Sequence, residues 1–311
     1  MRLAEIREGL GGLLERNGYT RATIRHYERE WDRIGGFLEE EYGDDEFDMG
    51  RGMAFLERTY GLHCRASGLL ADLERQELAC GIDRFALLCA ATSPSQVVPA
   101  NNYAIDVHGS DKGCGVAFGT LHPGFVRWEA ELARLEAAGI RGLKLHPDFQ
   151  GFHMADPAFE PIFEACSGRF IVLFHIGSLT EHASLALSSP MELKRIVHRF
   201  PRLDVIAAHM GGYRMWNLAM DVLKGIPAEH LWLDTSSTTP FVSRSDLGRL
   251  FGLLPEDHYC FGTDWPIYRP EEEMRRLKKK TDWSDDRLER LMGNAASLLA
   301  DYGMLDGTRG A

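Results

Sequence analysis

From about residue 81 onward the chain alternates short apolar runs with helical stretches, and no other feature constrains its fold as strongly. Short apolar runs are typical of buried strands, and helices between successive runs make those strands parallel. The seven runs are 85–89, 115–118, 142–145, 170–174, 203–207, 231–233 and 259–261. The pattern predicts an α/β fold, a (β/α)8-type TIM barrel. Because a closed barrel of this type has eight strands, we expect this one to be incomplete, with its first strand missing.

Four polar side chains follow apolar runs at the point where a strand is expected to end. They are His146, His175, His209 and Asp264. In a parallel barrel the carboxyl ends of the strands form the rim at which chemistry takes place. Imidazole and carboxylate groups held on rigid strand ends can bind one divalent ion. The sequence therefore predicts a metal site at this rim.

Composition limits the classes of partner. The chain has 311 residues and a net charge of −11, which disfavours nonspecific binding to nucleic acid or anionic membrane. It contains no apolar stretch long enough to span a membrane, and no apolar segment of a signal peptide follows Met1. The six cysteines form no Cys-x-x-Cys pair. We therefore expect a cytoplasmic protein with a small-molecule substrate, and the unpaired edges of an incomplete barrel favour a homo-oligomer.

The first 66 residues differ from the rest of the chain. Their apolar residues recur at helical spacing in three stretches, and no strand pattern interrupts them. Within residues 1–60 there are nine Arg, no Lys and fourteen acidic residues. We therefore divide the chain into a helical leader, residues 1–66, and a barrel, residues 67–311. The acidic balance of the leader argues against DNA binding.

Several motifs occur in order along the barrel segment. They are Gly81-Ile82-Asp83, Phe118-Gly119-Thr120-Leu121-His122-Pro123, Gly142-Leu143-Lys144-Leu145-His146-Pro147, Phe174-His175-Ile176-Gly177, Ala208-His209-Met210-Gly211-Gly212, Phe261-Gly262-Thr263-Asp264-Trp265-Pro266 and Gly293-Asn294-Ala295-Ala296. With these motifs, residues 68–300 resemble the amidohydrolase-related metal-dependent hydrolases, a group that includes nonoxidative decarboxylases. In the leader, residues 1–60 resemble the core-binding helical domain of phage-type integrases, and the motif that carries the resemblance lies at residues 18–31.

The amidohydrolase resemblance implies roles for the rim residues. His175, His209 and Asp264 would be metal ligands, with zinc favoured by the mixed imidazole and carboxylate set. Asp264 would also be the general base, and His209 would also stabilise charge on the substrate. Four further residues would contact the substrate: Lys144, His146, Arg214 and Trp265. Two of these have a purely structural alternative, since His146 precedes a proline in a potential turn and Trp265 could pack beneath the last loop.

The resemblance leaves three functions open. The first is metal-dependent hydrolysis of a small carboxylated, amide or ester substrate, and the second is nonoxidative decarboxylation by the same residues. The third is a non-enzymatic barrel that has lost its metal site. This third alternative arises because the family's first strand ends in His-x-His, whereas no two of the twelve histidines here are two residues apart.

Overall fold

The structure is a computed structural model that describes residues 2–16, 21–60, 63–108, 115–178 and 187–305. The strands are β1 (Phe85–Leu88), β2 (Gly115–Phe118), β3 (Gly142–Leu145), β4 (Ile171–Phe174), β5 (Asp204–Ala207), β6 (Leu231–Asp234) and β7 (Tyr259–Cys260). The helices are α1 (Leu3–Arg16), α2 (Arg21–Tyr42), α3 (Met49–Tyr60), α4 (Leu70–Ala79), α5 (Val97–His108), α6 (Trp128–Ala137), α7 (Pro147–Gln150), α8 (Glu160–Cys166), α9 (Pro190–Arg199), α10 (Trp216–Val222), α11 (Arg244–Leu250), α12 (Pro270–Thr281) and α13 (Asp285–Asp301).

The strands run parallel and lie side by side in chain order. One sheet contains β1 and β2, and a second contains β3 to β7. A parallel bridge between Gly119 and Leu143 joins the two sheets, with the Gly119 N–H donating to the Gly142 carbonyl at 2.9 Å. The predicted α/β class with a parallel sheet is therefore confirmed, and each described strand lies within one residue of its predicted bounds.

Strands β2 to β7 bury both faces, as the continuous apolar runs predicted. One face packs against the surrounding helices in a large apolar cluster, which includes Leu143, Val172 and Val205. The other face forms a second cluster inside the arc of strands. The interior cluster contains Val116, Phe118, Ile171, Leu173, Ile206, Ala208, Leu298, Leu299 and Met304. The last three of these come from α13 and the residues that follow it, so this end of the chain closes the base of the arc.

The arc is open at β1 in the part of the chain that the structure describes, where no pairing joins β7 to β1. Ala86 and Leu88 of β1 are in register with Val116 and Phe118 of β2. Val116 and Phe118 are 3% and 1% exposed, whereas Leu88 is 39% exposed. The interior face of β1 therefore meets solvent, and a closed eight-stranded barrel is not seen among the described residues.

The leader forms three helices around a small core of Leu3, Phe37, Leu38 and Phe55. The segment that joins it to α4 reaches the loop after β7. The backbone N–H groups of Arg65 and Ala66 both donate to the Pro266 carbonyl, at 2.8 and 3.1 Å. The leader is thus helical as predicted, and its connection to the sheet lies beside the rim. Its division from the barrel at residue 66 stays a prediction.

In the described portion, none of the helices has both the length and the apolar character needed to cross a bilayer.

Tyr259 provides a test of the buried packing at the end of the sheet. Its hydroxyl donates to the Leu250 carbonyl and accepts from the Leu254 N–H, both at 2.8 Å, and the side chain is buried. We expect Tyr259→Phe to lower the free energy of unfolding by about 1–3 kcal/mol, because two buried backbone groups lose their partner. Urea unfolding followed by circular dichroism measures this loss, and an unchanged midpoint would contradict it.

Candidate active site

The rim side chains come together because adjacent strands end at the same level. Leu145, Phe174 and Ala207 are in register at the ends of β3, β4 and β5. His146 and His175 immediately follow their strands, and His209 follows β5 by two residues. The sequence prediction placed these histidines at one edge of the sheet, and the structure places them there in contact.

One ring nitrogen of His175 points towards one ring nitrogen of His209. His175 Nδ1 lies 2.9 Å from His209 Nε2, and the rings are inclined at 69°. Two nitrogen ligands of one tetrahedral or octahedral ion are about 2.9–3.4 Å apart, since each lies about 2.0–2.1 Å from the metal. The pair therefore has the spacing of two ligands of a common divalent ion, and the donor chemistry fits one.

The tautomer of His209 follows from its surroundings. Its Nδ1 lies 3.0 Å from the carbonyl oxygen of Ser236 and 2.9 Å from the Ser236 hydroxyl. A carbonyl oxygen can only accept a hydrogen bond, so Nδ1 carries the proton. In neutral imidazole Nε2 then carries a lone pair and no proton, so it accepts a hydrogen bond from His175 Nδ1 at 2.9 Å. That is the form of histidine that binds a metal ion through Nε2.

His175 also favours its neutral form. Burial lowers its pKa well below the ordinary value, and the neighbouring His209, His146 and Lys144 act in the same direction. A backbone hydrogen bond at Gly177 acts in the opposite direction. Because a histidine binds metal only when deprotonated, this environment keeps His175 ready as a ligand at neutral pH.

His146 lies in a stack of three rings. Its ring is 3.8 Å from that of Phe149 and 3.9 Å from that of His175, and the three are nearly parallel. Burial lowers its pKa to about 3, helped by Lys144 and His209. Its Nδ1 accepts from the Phe149 N–H at 3.3 Å and so caps the start of α7.

His146, Asp148 and His175 bring their donor atoms within 4.8 Å of one another. Imidazole lone pairs lie in the plane of the ring. Two rings stacked face to face cannot both point these lone pairs at one ion. In this arrangement His146 therefore forms a wall of the site and a turn contact, rather than a metal ligand.

Asp264 and Lys144 bring opposite charges to the rim. Asp264 is exposed, and its Oδ2 accepts a hydrogen bond from the Ser237 hydroxyl at 2.5 Å. Lys144 is buried, and burial lowers its pKa, while Asp234 and Asp264 act in the opposite direction. The Lys144 side chain thus lies in the field of two carboxylates, and the Asp264 carboxylate is open to solvent.

The remaining two predicted residues lie further out on the rim. Arg214 is exposed and its guanidinium lies 4.5 Å from the centre of the Phe241 ring. Trp265 is half-buried and forms a cis peptide bond with Pro266. Its indole Nε1 is buried and finds no hydrogen-bond partner among the described residues. A donor without a partner at the rim suits either a substrate oxygen or a water molecule.

Sequence reasoning missed Asp234, the last residue of β6, and Ser236 and Ser237, which follow this strand. Asp234 Oδ1 accepts from the His209 N–H at 3.0 Å, from the Ser236 N–H at 2.9 Å and from the Ser236 hydroxyl. The polar run Asp234-Thr235-Ser236-Ser237 directly after an apolar run was a usable sequence signal. It has the same form as the signals that identified the histidines.

The rim also concentrates unusual backbone. Among the described residues, six non-glycine residues have positive φ, and five of them belong to the loops after β5, β6 and β7. These five are His209, Met210, Arg214, Ser237 and Asp264, with φ between 47° and 61°. Such conformations are rare for L-residues and cluster at functional sites.

Comparison with known proteins identifies the fold. The profile of the family described as amidohydrolase matches residues 92–299, about two-thirds of the chain. No curated protein matches the sequence. No comparison supports the integrase resemblance of the leader, which lies outside the matched residues.

Solved structures with the same fold include several decarboxylases. One is the 5-carboxyvanillate decarboxylase of Novosphingobium aromaticivorans, solved with manganese and 4-hydroxy-3-methoxy-5-nitrobenzoic acid. It is 17% identical, covering 90% of this chain and 93% of its own, with a TM-score of 0.60. A putative 2-pyrone-4,6-dicarboxylic acid hydrolase from Pseudomonas putida is 18% identical, covering 84% and 96%, with a TM-score of 0.57. A TIM-barrel protein from Bordetella bronchiseptica is 18% identical, covering 90% and 93%, with a TM-score of 0.53.

Proposed function

Because this chain belongs to the amidohydrolase family, we propose that it is a metal-dependent hydrolase acting on a small carboxylated, amide or ester substrate. The observation that carries the proposal is the 2.9 Å separation of His175 Nδ1 and His209 Nε2. This pair has the spacing of two ligands of one divalent ion, and His209 Nε2 has the lone pair that a ligand needs. Zinc suits mixed imidazole and carboxylate ligands, and manganese is the ion in a structural neighbour.

In the proposed site, His175, His209 and Asp264 would hold the ion. Among the described residues the donor atoms of these three do not all lie within 4.8 Å of one another, so the Asp264 carboxylate would have to move towards the histidine pair. When bound, a divalent ion lowers the pKa of water towards neutrality and polarises the substrate carbonyl. Asp264 accepts the proton of the attacking water, because its exposed carboxylate is held by Ser237 at the mouth of the site. His209 would bind the ion through Nε2. Its Nδ1–H donates to the Ser236 carbonyl, and this hydrogen bond keeps the imidazole ring from rotating.

Charge and shape at the rim support a carboxylated substrate. Lys144 supplies a buried ammonium inside the site, and Arg214 supplies a guanidinium at its edge. A guanidinium can bind a carboxylate through two parallel hydrogen bonds. Phe149, stacked on His146, and Trp265 add flat apolar walls. We propose that these groups select a small organic acid.

Decarboxylation is the second candidate. Several structural neighbours are decarboxylases of hydroxybenzoate-type acids, and the same His, Asp and Lys groups could hold such an acid. The two reactions differ in their products. Hydrolysis gives an acid together with an amine or alcohol, whereas decarboxylation gives carbon dioxide. A panel of carboxylated aromatic, lactone and cyclic amide substrates, analysed for both kinds of product, decides between them.

Metal content separates both enzymatic proposals from the non-enzymatic barrel. We expect purified protein, dialysed without chelator, to contain about one divalent ion per chain, since three protein ligands with water form a usual catalytic zinc site. Elemental analysis measures this number. Less than about a tenth of an ion per chain, not restored by added zinc or manganese, would leave the non-enzymatic alternative.

We further propose that the barrel lacks its first strand and that the protein is cytoplasmic and self-associates. The exposed interior face of β1 supports the missing strand, because another strand would cover it. An unpaired edge favours association with a second copy. The acidic leader supports the absence of nucleic-acid binding.

A further inference from the structure

We infer that Asp234 and Ser236 are positioning residues, which hold His209 in the tautomer whose Nε2 lone pair faces His175. The inference rests on the proposed function, in which His209 Nε2 is a metal ligand. It concerns how the chain keeps His209 able to bind a metal ion although the His-x-His pair of the family's first strand is missing.

The direction of each hydrogen bond in this group is fixed by chemistry. An ionised carboxylate only accepts, so the Ser236 hydroxyl donates to Asp234 Oδ1. The Ser236 oxygen is then free to accept from His209 Nδ1, 2.9 Å away. The Ser236 carbonyl, 3.0 Å from the same nitrogen, also accepts. The proton on Nδ1 therefore has two acceptors, and the opposite tautomer would place a lone pair against both.

Asp234 also fixes the backbone that carries the ring. Its Oδ1 accepts from the His209 N–H at 3.0 Å and the Ser236 N–H at 2.9 Å. His209 has a φ of 61°, a conformation that a non-glycine residue keeps only when its surroundings enforce it. One carboxylate oxygen thus holds the backbone of His209 directly and orients its ring through the Ser236 hydroxyl.

The three residues are buried, so water competes little for these bonds. Hydrogen-bond partners of a ligating histidine commonly fix its tautomer, and their loss typically weakens metal binding by about 10–100-fold. If Asp234 and Ser236 had a purely structural role, their replacement would lower the stability of the fold and leave the tautomer of His209 unchanged. The two possibilities differ in the tautomer of His209, which can be observed directly.

The experiment compares Asp234→Asn with a matched substitution at the other end of the sheet. Asp204, at the start of β5, accepts from His230 Nδ1 at 2.6 Å and also binds the Tyr302 hydroxyl. Asp204→Asn therefore removes the charge of an aspartate that also binds a histidine, but at a position far from the rim. The full-length proteins are titrated with zinc against a competing chelator. Histidine ¹⁵N NMR of the metal-free proteins reports which nitrogen of His209 is protonated.

We expect Asp234→Asn to weaken zinc binding by about 10–100-fold, because a neutral amide oxygen accepts the hydrogen bonds of Oδ1 more weakly than a carboxylate. The share of His209 in the Nδ1–H form should fall, while the Ser236 carbonyl still favours that form. We expect Asp204→Asn to leave both the zinc affinity and the protonation pattern of His209 unchanged. Ser236→Ala keeps the carbonyl acceptor, so its zinc affinity falls by only a few-fold, and it decides the question if Asp234→Asn does not fold. Wild-type affinity together with a wild-type ¹⁵N pattern in the folded variant would overturn the inference.

A further variant separates this inference from the function on which it rests. If His209→Ala binds zinc as tightly as wild type, His209 is not a ligand and the proposed metal site is wrong. If His209→Ala loses zinc while Asp234→Asn and Ser236→Ala do not, only the positioning role is wrong.

Discussion

Replacing Asp264 with Asn should lower kcat by about 10²–10⁴-fold while the fold survives, because the proposed general base is lost. Asn is the suitable replacement for two reasons. It preserves the volume of the side chain, and it tolerates the left-handed backbone at this position, where φ is 57°. Bound zinc should also fall, since an amide oxygen is a weaker ligand than a carboxylate.

The measurement is steady-state turnover on the substrate that the product panel identifies, with zinc content determined on the same preparation. Asp257→Asn is the control, because Asp257 is exposed and lies in the turn before β7, at the opposite end of that strand. Turnover near the wild-type value would remove Asp264 from the mechanism. Full zinc content with lost turnover would retain it as base and reject it as ligand.

The second large effect is expected at Gly177, where we predict that Ala destabilises the protein by at least about 4 kcal/mol or prevents folding. Gly177 has a φ of 111°, and an added Cβ would lie 2.2 Å from the Tyr213 carbonyl oxygen and 2.4 Å from the Tyr213 nitrogen. Backbone atoms cannot give way as a side-chain tip can. The substitution must therefore break the bridge that joins the loop of His175 to the loop of His209.

Gly168→Ala separates this clash from the effect of backbone conformation. Gly168 also has positive φ, 70°, but its added Cβ would meet nothing within 4 Å. It should cost only about 1–2 kcal/mol, the usual penalty of a left-handed L-residue. Equilibrium unfolding in urea measures both variants. Equal losses at the two glycines would show that the close approach of the two loops contributes nothing.

The sequence was sufficient for the strands and for the main rim residues. Short apolar runs indicate buried strands when helical stretches separate them, and the bounds of β1 to β7 were therefore predicted within a residue. His175 and His209 could be found because each follows such a run. Their position at one edge then follows from the parallel order of the strands.

Two aspects of the site could not be predicted. The ring of His146, at the start of the short helix α7, stacks between the rings of Phe149 and His175. The orientation of a side chain in a loop of this kind produces no periodic pattern in the sequence. Asp234 and Ser236 act through hydrogen bonds to a residue 25 or more positions earlier in the chain. Their role depends on three-dimensional geometry, although the polar run that contains them was visible.

The left-handed residues of the rim set a limit on how this protein could be improved by selection. Each of the five costs about 1–2 kcal/mol relative to relaxed backbone. A library selected for heat resistance alone would gain by placing glycine at Ser237, and that change would release Asp264. Selection that also demands turnover would reject that change. Thermal tolerance and catalytic competence therefore compete at Ser237, and a screen for one should always monitor the other.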